Sequence, residues 1–183
     1  WKLRTGQLSR DHEFAFLREG LDRLAKAPIF INDQAGINIM NMRSAVRRMK
    51  SEHNLGLVIV DYLQLMTSRK KVESRQQEVS EFSRALKLLA KELGVPVVAI
   101  SQLNRNSEQT KDKKPEISQL RESGSLEQDA DVVILLHREA QYEKDHPRAG
   151  EADLILAKQR NGPTGTVVVA FQGAYSRFMN MKA

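Results

Sequence analysis

The sequence predicts an α/β protein: a mostly parallel sheet with helices on both faces, extended at its C-terminal end by an antiparallel hairpin. Three observations predict it. Two uninterrupted apolar runs, residues 57–60 and 97–100, each end at polar residues, the pattern of strands buried within a parallel sheet. Segments of helical period precede and separate these runs. Further on, Asn161, Gly162, Pro163, Thr164 and Gly165 form a dense turn signal between two more strand patterns.

In chain order, a first helix is expected from Ser9, because Phe14, Leu17, Leu21 and Leu24 recur at spacings of three and four and share one face. Pro28 ends it, and Ile29, Phe30 and Ile31 then read as a short strand, followed by a polar turn through Asn32, Asp33 and Gln34. Asn38 is a good N-cap for a second helix, with Met42, Val46 and Met49 inward and Arg43, Arg47, Arg48 and Lys50 mostly outward. The strand at 57–60 stops at Asp61. A charged loop carrying Arg69, Lys70, Lys71 and Glu73 leads to Ser74 and Gln77, a capping-box pattern for a long helix. Its stripe is Val79, Phe82, Leu86, Leu89 and Leu93, and Gly94 with Pro96 stops it. The strand at 97–100 is followed by Ser101 and Gln102. Residues 103–118 are polar, mixed in charge and without apolar period, which predicts a mobile loop. After a short stretch at 120–128, strands are expected at 131–136, 152–158 and 166–171, the last two forming the hairpin.

At 183 residues and 40% hydrophobic content, one domain with a real core is expected. The formal charge of +6 favours an anionic partner, although basic and acidic residues are interspersed and a merely basic surface fits as well. There is no cysteine, so disulfides and thiolate metal sites are excluded. His12, His53, His137 and His146 lie far apart without ligand spacing, and no metal site is assigned to them. The polar N-terminal residues do not form a signal peptide, and no apolar run approaches the roughly 20 residues of a membrane span, so a cytoplasmic location is expected. The chain begins at Trp1 without an initiator Met and is expected to be part of a longer one.

Strand ends in open α/β sheets carry the active site. Asp61 stands at one such end and Gln102 at another. A carboxylate there suits a magnesium ion beside phosphates, but an Asp that only turns the chain fits the same pattern. Four motifs supply the context: VIVDYLQLM, AISQLNR, LRESGSLEQDADVV and KQRNGPTGTV. In residue type, order and spacing they resemble the DnaB family of hexameric replicative helicases, and the opening RTGQL fits too. The resemblance runs from about Leu3 to Phe178.

The resemblance implies a RecA-like P-loop NTPase core, N-terminally truncated, with residues 1–183 as the C-terminal portion of the helicase ATPase domain. It implies an ATP-dependent DNA helicase with ATP and Mg2+ as cofactors. Single-stranded DNA and a homo-hexamer are the implied partners, with primase and a helicase loader bound by the parent protein. Asp61 matches the Walker B aspartate, holding magnesium through water, and Gln102 matches the sensor of the γ-phosphate. Lys158 and Arg160 match cations that reach the ATP site of the next subunit, Arg160 as the arginine finger. By strand alternation the two point to one side, and the Asn161-Gly162-Pro163 turn would hold them rigidly, although a solvated basic turn reads the same way. Arg121, Glu122 and Gly124 match the DNA-gripping loop, where Arg121 offers a charge-assisted bond and Gly124 lets backbone amides approach an anion. Arg105, Lys111, Lys113 and Lys114 add basic groups in a loop that also holds acids, and a plain solvated loop is equally compatible.

The departure from the family is the phosphate-binding loop. No Gly-x-x-x-x-Gly-Lys-Ser/Thr occurs, and none of the ten glycines precedes a lysine. The family's water-activating glutamate and primase-binding domain also fall outside these residues. The 183 residues alone are therefore expected to turn over ATP negligibly. Two other readings stay open: a non-catalytic scaffold for DNA or protein, and another RecA-like ATPase such as a recombinase or a circadian-clock-type ring. The LRESGSLEQDAD and KQRNGP motifs weigh against the latter.

Overall fold

Two strands side by side, β1 (Val58–Val60) and β2 (Val97–Ala99), form a two-stranded parallel sheet, with Val58 opposite Val97 and Val60 opposite Ala99. The fold is seen in a computed structural model that describes residues 2–8, 12–68, 74–103 and 114–181, without the side chains of Arg4 and residues 121–123. The helices ahead of β1 are α1 (Lys2–Thr5), α2 (Glu13–Lys26) and α3 (Ile39–His53). The long α4 (Arg75–Leu93) joins β1 to β2, the crossover that parallel neighbours require. Beyond β2 come a 3₁₀ segment, Ile117–Ser123, and the short α5 (Gly124–Asp129). Then β3 (Val132–His137), β4 (Glu151–Gln159), β5 (Gly165–Gln172) and β6 (Arg177–Asn180) form a four-stranded antiparallel sheet in that order.

The helix boundaries follow the caps. The Asn38 side chain accepts from Asn41 N–H at 3.0 Å and the Ser74 hydroxyl from Gln77 N–H at 3.3 Å, each satisfying an amide that an N-terminus leaves without a partner. Gly94 closes α4 at φ 62°, a left-handed conformation that glycine adopts without a Cβ penalty. The apolar stripe of α4 then does what its period predicts. Phe82, Leu86 and Leu89 join Met42, Leu63 and Met66 in one buried cluster, flanked by Val60 and Val97.

Four expectations need correction. Ile29, Phe30 and Ile31 form no strand and are 60%, 48% and 86% exposed, because no neighbouring strand is present among the described residues to pair with them. The face of α2 carrying Phe14, Leu21 and Leu24 is exposed as well, and the helix spans Glu13–Lys26. The strand at 57–60 is not buried on both faces: Val58 is buried, whereas Ile59 and its neighbour Val98 are exposed. The same side-to-side asymmetry recurs in β3, where Leu135 is buried between exposed Ile134 and Leu136. Among the described residues, therefore, the packed core lies on one side of β1 and β2 and not on both. Finally, the predicted hairpin forms between β4 and β5, but the strand at 131–136 joins it and not the parallel pair, with β3 and β6 paired to its outer edges. The predicted loop at 103–118 falls mainly on residues outside the description, and its last two residues already belong to the 3₁₀ segment.

The antiparallel sheet carries its own polar anchor. Asp153 on β4 is only 4% exposed, and Arg148 donates to it and, through Nε at 2.6 Å, to Glu151. The guanidinium holds the Asp153 carboxyl below the usual carboxylate range. A depressed value means that the stabilisation is fully present above the unfolded Asp value of about 3.9 and is lost as pH falls through the folded one. Denaturation midpoints measured from about pH 6 down to about pH 3 should therefore fall more steeply for this protein than for its Asp153→Asn variant. Parallel pH profiles would contradict that.

Candidate active site

The carboxyl ends of β1 and β2 are fastened to each other. Ile100 N–H donates to Val60 O at 3.0 Å, and Leu63 N–H returns to Ile100 O at 2.9 Å. Asp61 follows β1 directly, is exposed, and has no hydrogen-bond or ion-pair partner among the described residues. The Gln64 amide reaches across to the other strand end, donating to Ser101 Oγ at 3.0 Å and Gln102 O at 3.3 Å, and accepting from Gln102 N–H at 3.4 Å. The exposed Gln102 side chain is thus presented from a backbone that Gln64 holds. Arg75, at the start of α4, in turn donates to Gln64 O at 2.8 Å and to Met66 O at 3.3 Å.

Lys158 and Arg160 form a second group. The pairing of β3 with β4 sets Val133 opposite Lys158 and Ile134 opposite Leu156, so Ala157 is an extra residue in β4. Such a bulge re-aims the side chains beyond it. Both cations then reach the C-terminal carbonyls of α5: Lys158 donates to Glu127 O and Gln128 O, and Arg160 Nη2 donates to Gln128 O at 2.6 Å. Arg160 N–H also donates to Asp131 O at 2.9 Å, and its Nε lies 3.5 Å from Asp131 Oδ1. Lys87 of α4 binds the other oxygen of Asp131 and holds that carboxyl below its usual range.

The predicted DNA loop adjoins this group. Arg121 and Glu122 lie in the 3₁₀ segment with side chains outside the description, and Gly124 opens α5, with open space where a Cβ would stand. Helix α5 is bonded to α4: Ser83 Oγ donates to Asp129 Oδ2 at 2.7 Å and Ser125 Oγ donates to Ser80 Oγ at 2.8 Å. Of the loop cations, Arg105, Lys111 and Lys113 lie outside the described residues. No hydrogen bond or ion pair joins Asp61 or Gln102 directly to Lys158 or Arg160 among the described residues, and both groups border α4.

For a metal, the described residues contain no cluster of three carboxylate or imidazole ligands. Asp61 fits one partner well: magnesium is held by one or two carboxylates, waters and substrate phosphates, not by an all-protein cage. Sequence reading missed Gln64, Arg75 and Asp131. Gln64 and Asp131 act on partners 37 and 44 residues away, and no local pattern encodes such separations.

A model of the DnaB-like helicase C terminal domain matches residues 1–180. The chain belongs to this family. A replicative DNA helicase DnaB of Leifsonia xyli subsp. xyli is 68% identical over 159 residues, covering 87% of this chain and 35% of that protein. One from Mycobacterium leprae is 60% identical over 179 residues, covering 98% of this chain and 30% of that protein. The chain thus spans about a third of the length of these curated relatives. Among solved structures, one described as an ATPase domain superposes with a TM-score of 0.92 at 38% identity, covering 99% of this chain and 65% of that one. A DnaB-like replicative helicase described with its primase interactions gives 0.89 at 40% identity, covering 94% of this chain and 42% of that one. The fold is that of RecA-like helicase ATPase domains, with a parallel strand pair, helices and a C-terminal antiparallel sheet. Among the described residues no helix is long and apolar enough to cross a membrane.

Proposed function

We propose that this DnaB-family chain is part of a ring-shaped replicative helicase that couples ATP hydrolysis to translocation on single-stranded DNA and duplex unwinding. The observation that carries the reading is the exposed carboxylate of Asp61, without a partner among the described residues, and the braced Gln102, which follow two paired parallel strands in a chain whose relatives are replicative DNA helicases. Asp61 would hold Mg2+, which would supply positive charge to offset that of the phosphates. Gln102 has an amide able to donate to a phosphate oxygen while its backbone stays fixed by Gln64.

Lys158 and Arg160 serve the ATP of a neighbouring subunit in a homo-hexamer, and Arg121, Glu122 and Gly124 grip the phosphates of single-stranded DNA. The assembly works in the cytoplasm with primase and a loader. Primase is supported by one solved relative, which is described together with it. The phosphate-binding loop has no counterpart in these 183 residues, so on their own they hydrolyse ATP negligibly.

The test is Asp61→Asn in a helicase of the relatives' full length that carries these residues. Removing the ionised oxygen should lower magnesium-dependent ATP turnover by about 10²- to 10³-fold while leaving the melting temperature in place. Turnover at the original level would eliminate the role.

A further inference from the structure

Asp131 has a position that the nucleotide chemistry described so far does not use. It stands between α5 and β3, where its main chain and its side chain both meet Arg160. Its carbonyl fixes the start of the Arg160 residue through the 2.9 Å N–H bond. Its carboxylate approaches Nε at 3.5 Å, and Gln128 O takes Nη2 at 2.6 Å. Nε and Nη2 lie on one edge of the planar guanidinium, so one edge is occupied by the protein, and no partner among the described residues takes the Nη1 donors. Lys87 of α4 donates to the far oxygen of Asp131.

We propose that Asp131 is the positioning residue for Arg160, setting the orientation in which its free Nη1 edge meets a phosphoryl oxygen. The proposal rests on the finger reading of Arg160. A second effect of the carboxylate is electrostatic. Lys158 and Arg160 both crowd onto the end of α5, and an anion beside them offsets the repulsion between two cations held side by side. The Asp131 carboxyl, held below its usual range chiefly by the Lys87 bond, is ionised at neutral pH like any ordinary carboxylate.

Exposure separates this role from a structural one. The side chains of Arg160 and Asp131 are 47% and 56% exposed, and exposed ion pairs contribute little to folding. A loss of turnover on replacing Asp131 therefore cannot be ascribed to a weakened fold.

The experiment measures steady-state ATP hydrolysis by the full-length ring carrying Asp131→Ala, Asp131→Asn, Arg160→Ala, or Asp131→Ala with Arg160→Ala. Asp131→Ala should lower kcat by about 10- to 100-fold, as misplacing a catalytic contact does, with Asp131→Asn falling between it and the original. KM for ATP should stay within about twofold, because the finger acts on the transition state and not on bound substrate. Melting temperature should not move. In the double variant, Asp131→Ala should add nothing to Arg160→Ala. Unchanged kcat in Asp131→Ala, a change confined to KM or melting temperature, or losses that multiply in the double variant would each overturn the proposal. Unchanged kcat in Arg160→Ala would instead overturn the finger reading on which it rests.

Discussion

Replacing Arg160 by Ala should lower ATP turnover of the assembled ring by about 10³- to 10⁵-fold, with nucleotide affinity nearly unchanged. The size follows from what a guanidinium supplies. Charge spreads over the phosphoryl oxygens as the transferring group separates, and a fixed fork of donors neutralises it without reorganising. Lys158 beside it remains in the variant but brings only a point charge, so Arg160→Lys should recover little. On the proposed reading the donor belongs to a subunit other than the one holding the ATP, which yields a sharper readout. Mixing Arg160→Ala subunits with Asp61→Asn subunits should restore turnover, since some interfaces then combine an intact carboxylate with an intact finger. Mixed rings that remain inactive would show that both residues serve the same subunit's nucleotide.

The largest expected loss of stability comes from Phe82→Ala. Phe82 is fully buried and packs with Leu63, Met66 and Leu89 between α4 and the segment after β1. Removing its ring takes away transfer free energy and leaves a cavity that the surrounding helices fill only in part, a cost of about 3–5 kcal/mol. In a chain of this size that corresponds to a melting temperature lower by roughly 6–20 °C. Arg84→Ala, exposed on the same helix, should stay within about 0.5 kcal/mol. Similar shifts for the two variants would mean that the α4 stripe does not form the core.

Local rules carried the helices. Asn38, Ser74 and Gly94 mark helix ends through bonds and backbone angles that involve only residues nearby in sequence, and the Phe82 stripe follows directly from the helical period. Strand environment was less legible. A run such as Leu57 to Val60 records the apolar demand on both sides of a strand but not which neighbours meet it, and Ile59 is exposed among the described residues. Ile29 to Ile31 failed for the same reason, since a strand exists only with a partner. In the site, the apolar pattern locates the strand ends that Asp61, Gln102, Lys158 and Arg160 border, and the resemblance to the DnaB family is what singles these residues out. Their supports, Gln64 and Asp131, were invisible because only the folded topology brings them to their targets.

Helix α4 is touched near its start by the Asp61–Gln102 end, through Arg75 and Gln64, and farther along by α5 and Asp131, through Ser80, Ser83 and Lys87. A helix advances 1.5 Å and turns about 100° for each residue. One residue inserted between Arg75 and Ser80 would therefore preserve the composition of both groups while swinging one around the axis relative to the other. The sequence of α4 between those contacts acts as a gauge block whose length, more than its chemistry, fixes how the Asp61 carboxylate and the Arg160 guanidinium are phased.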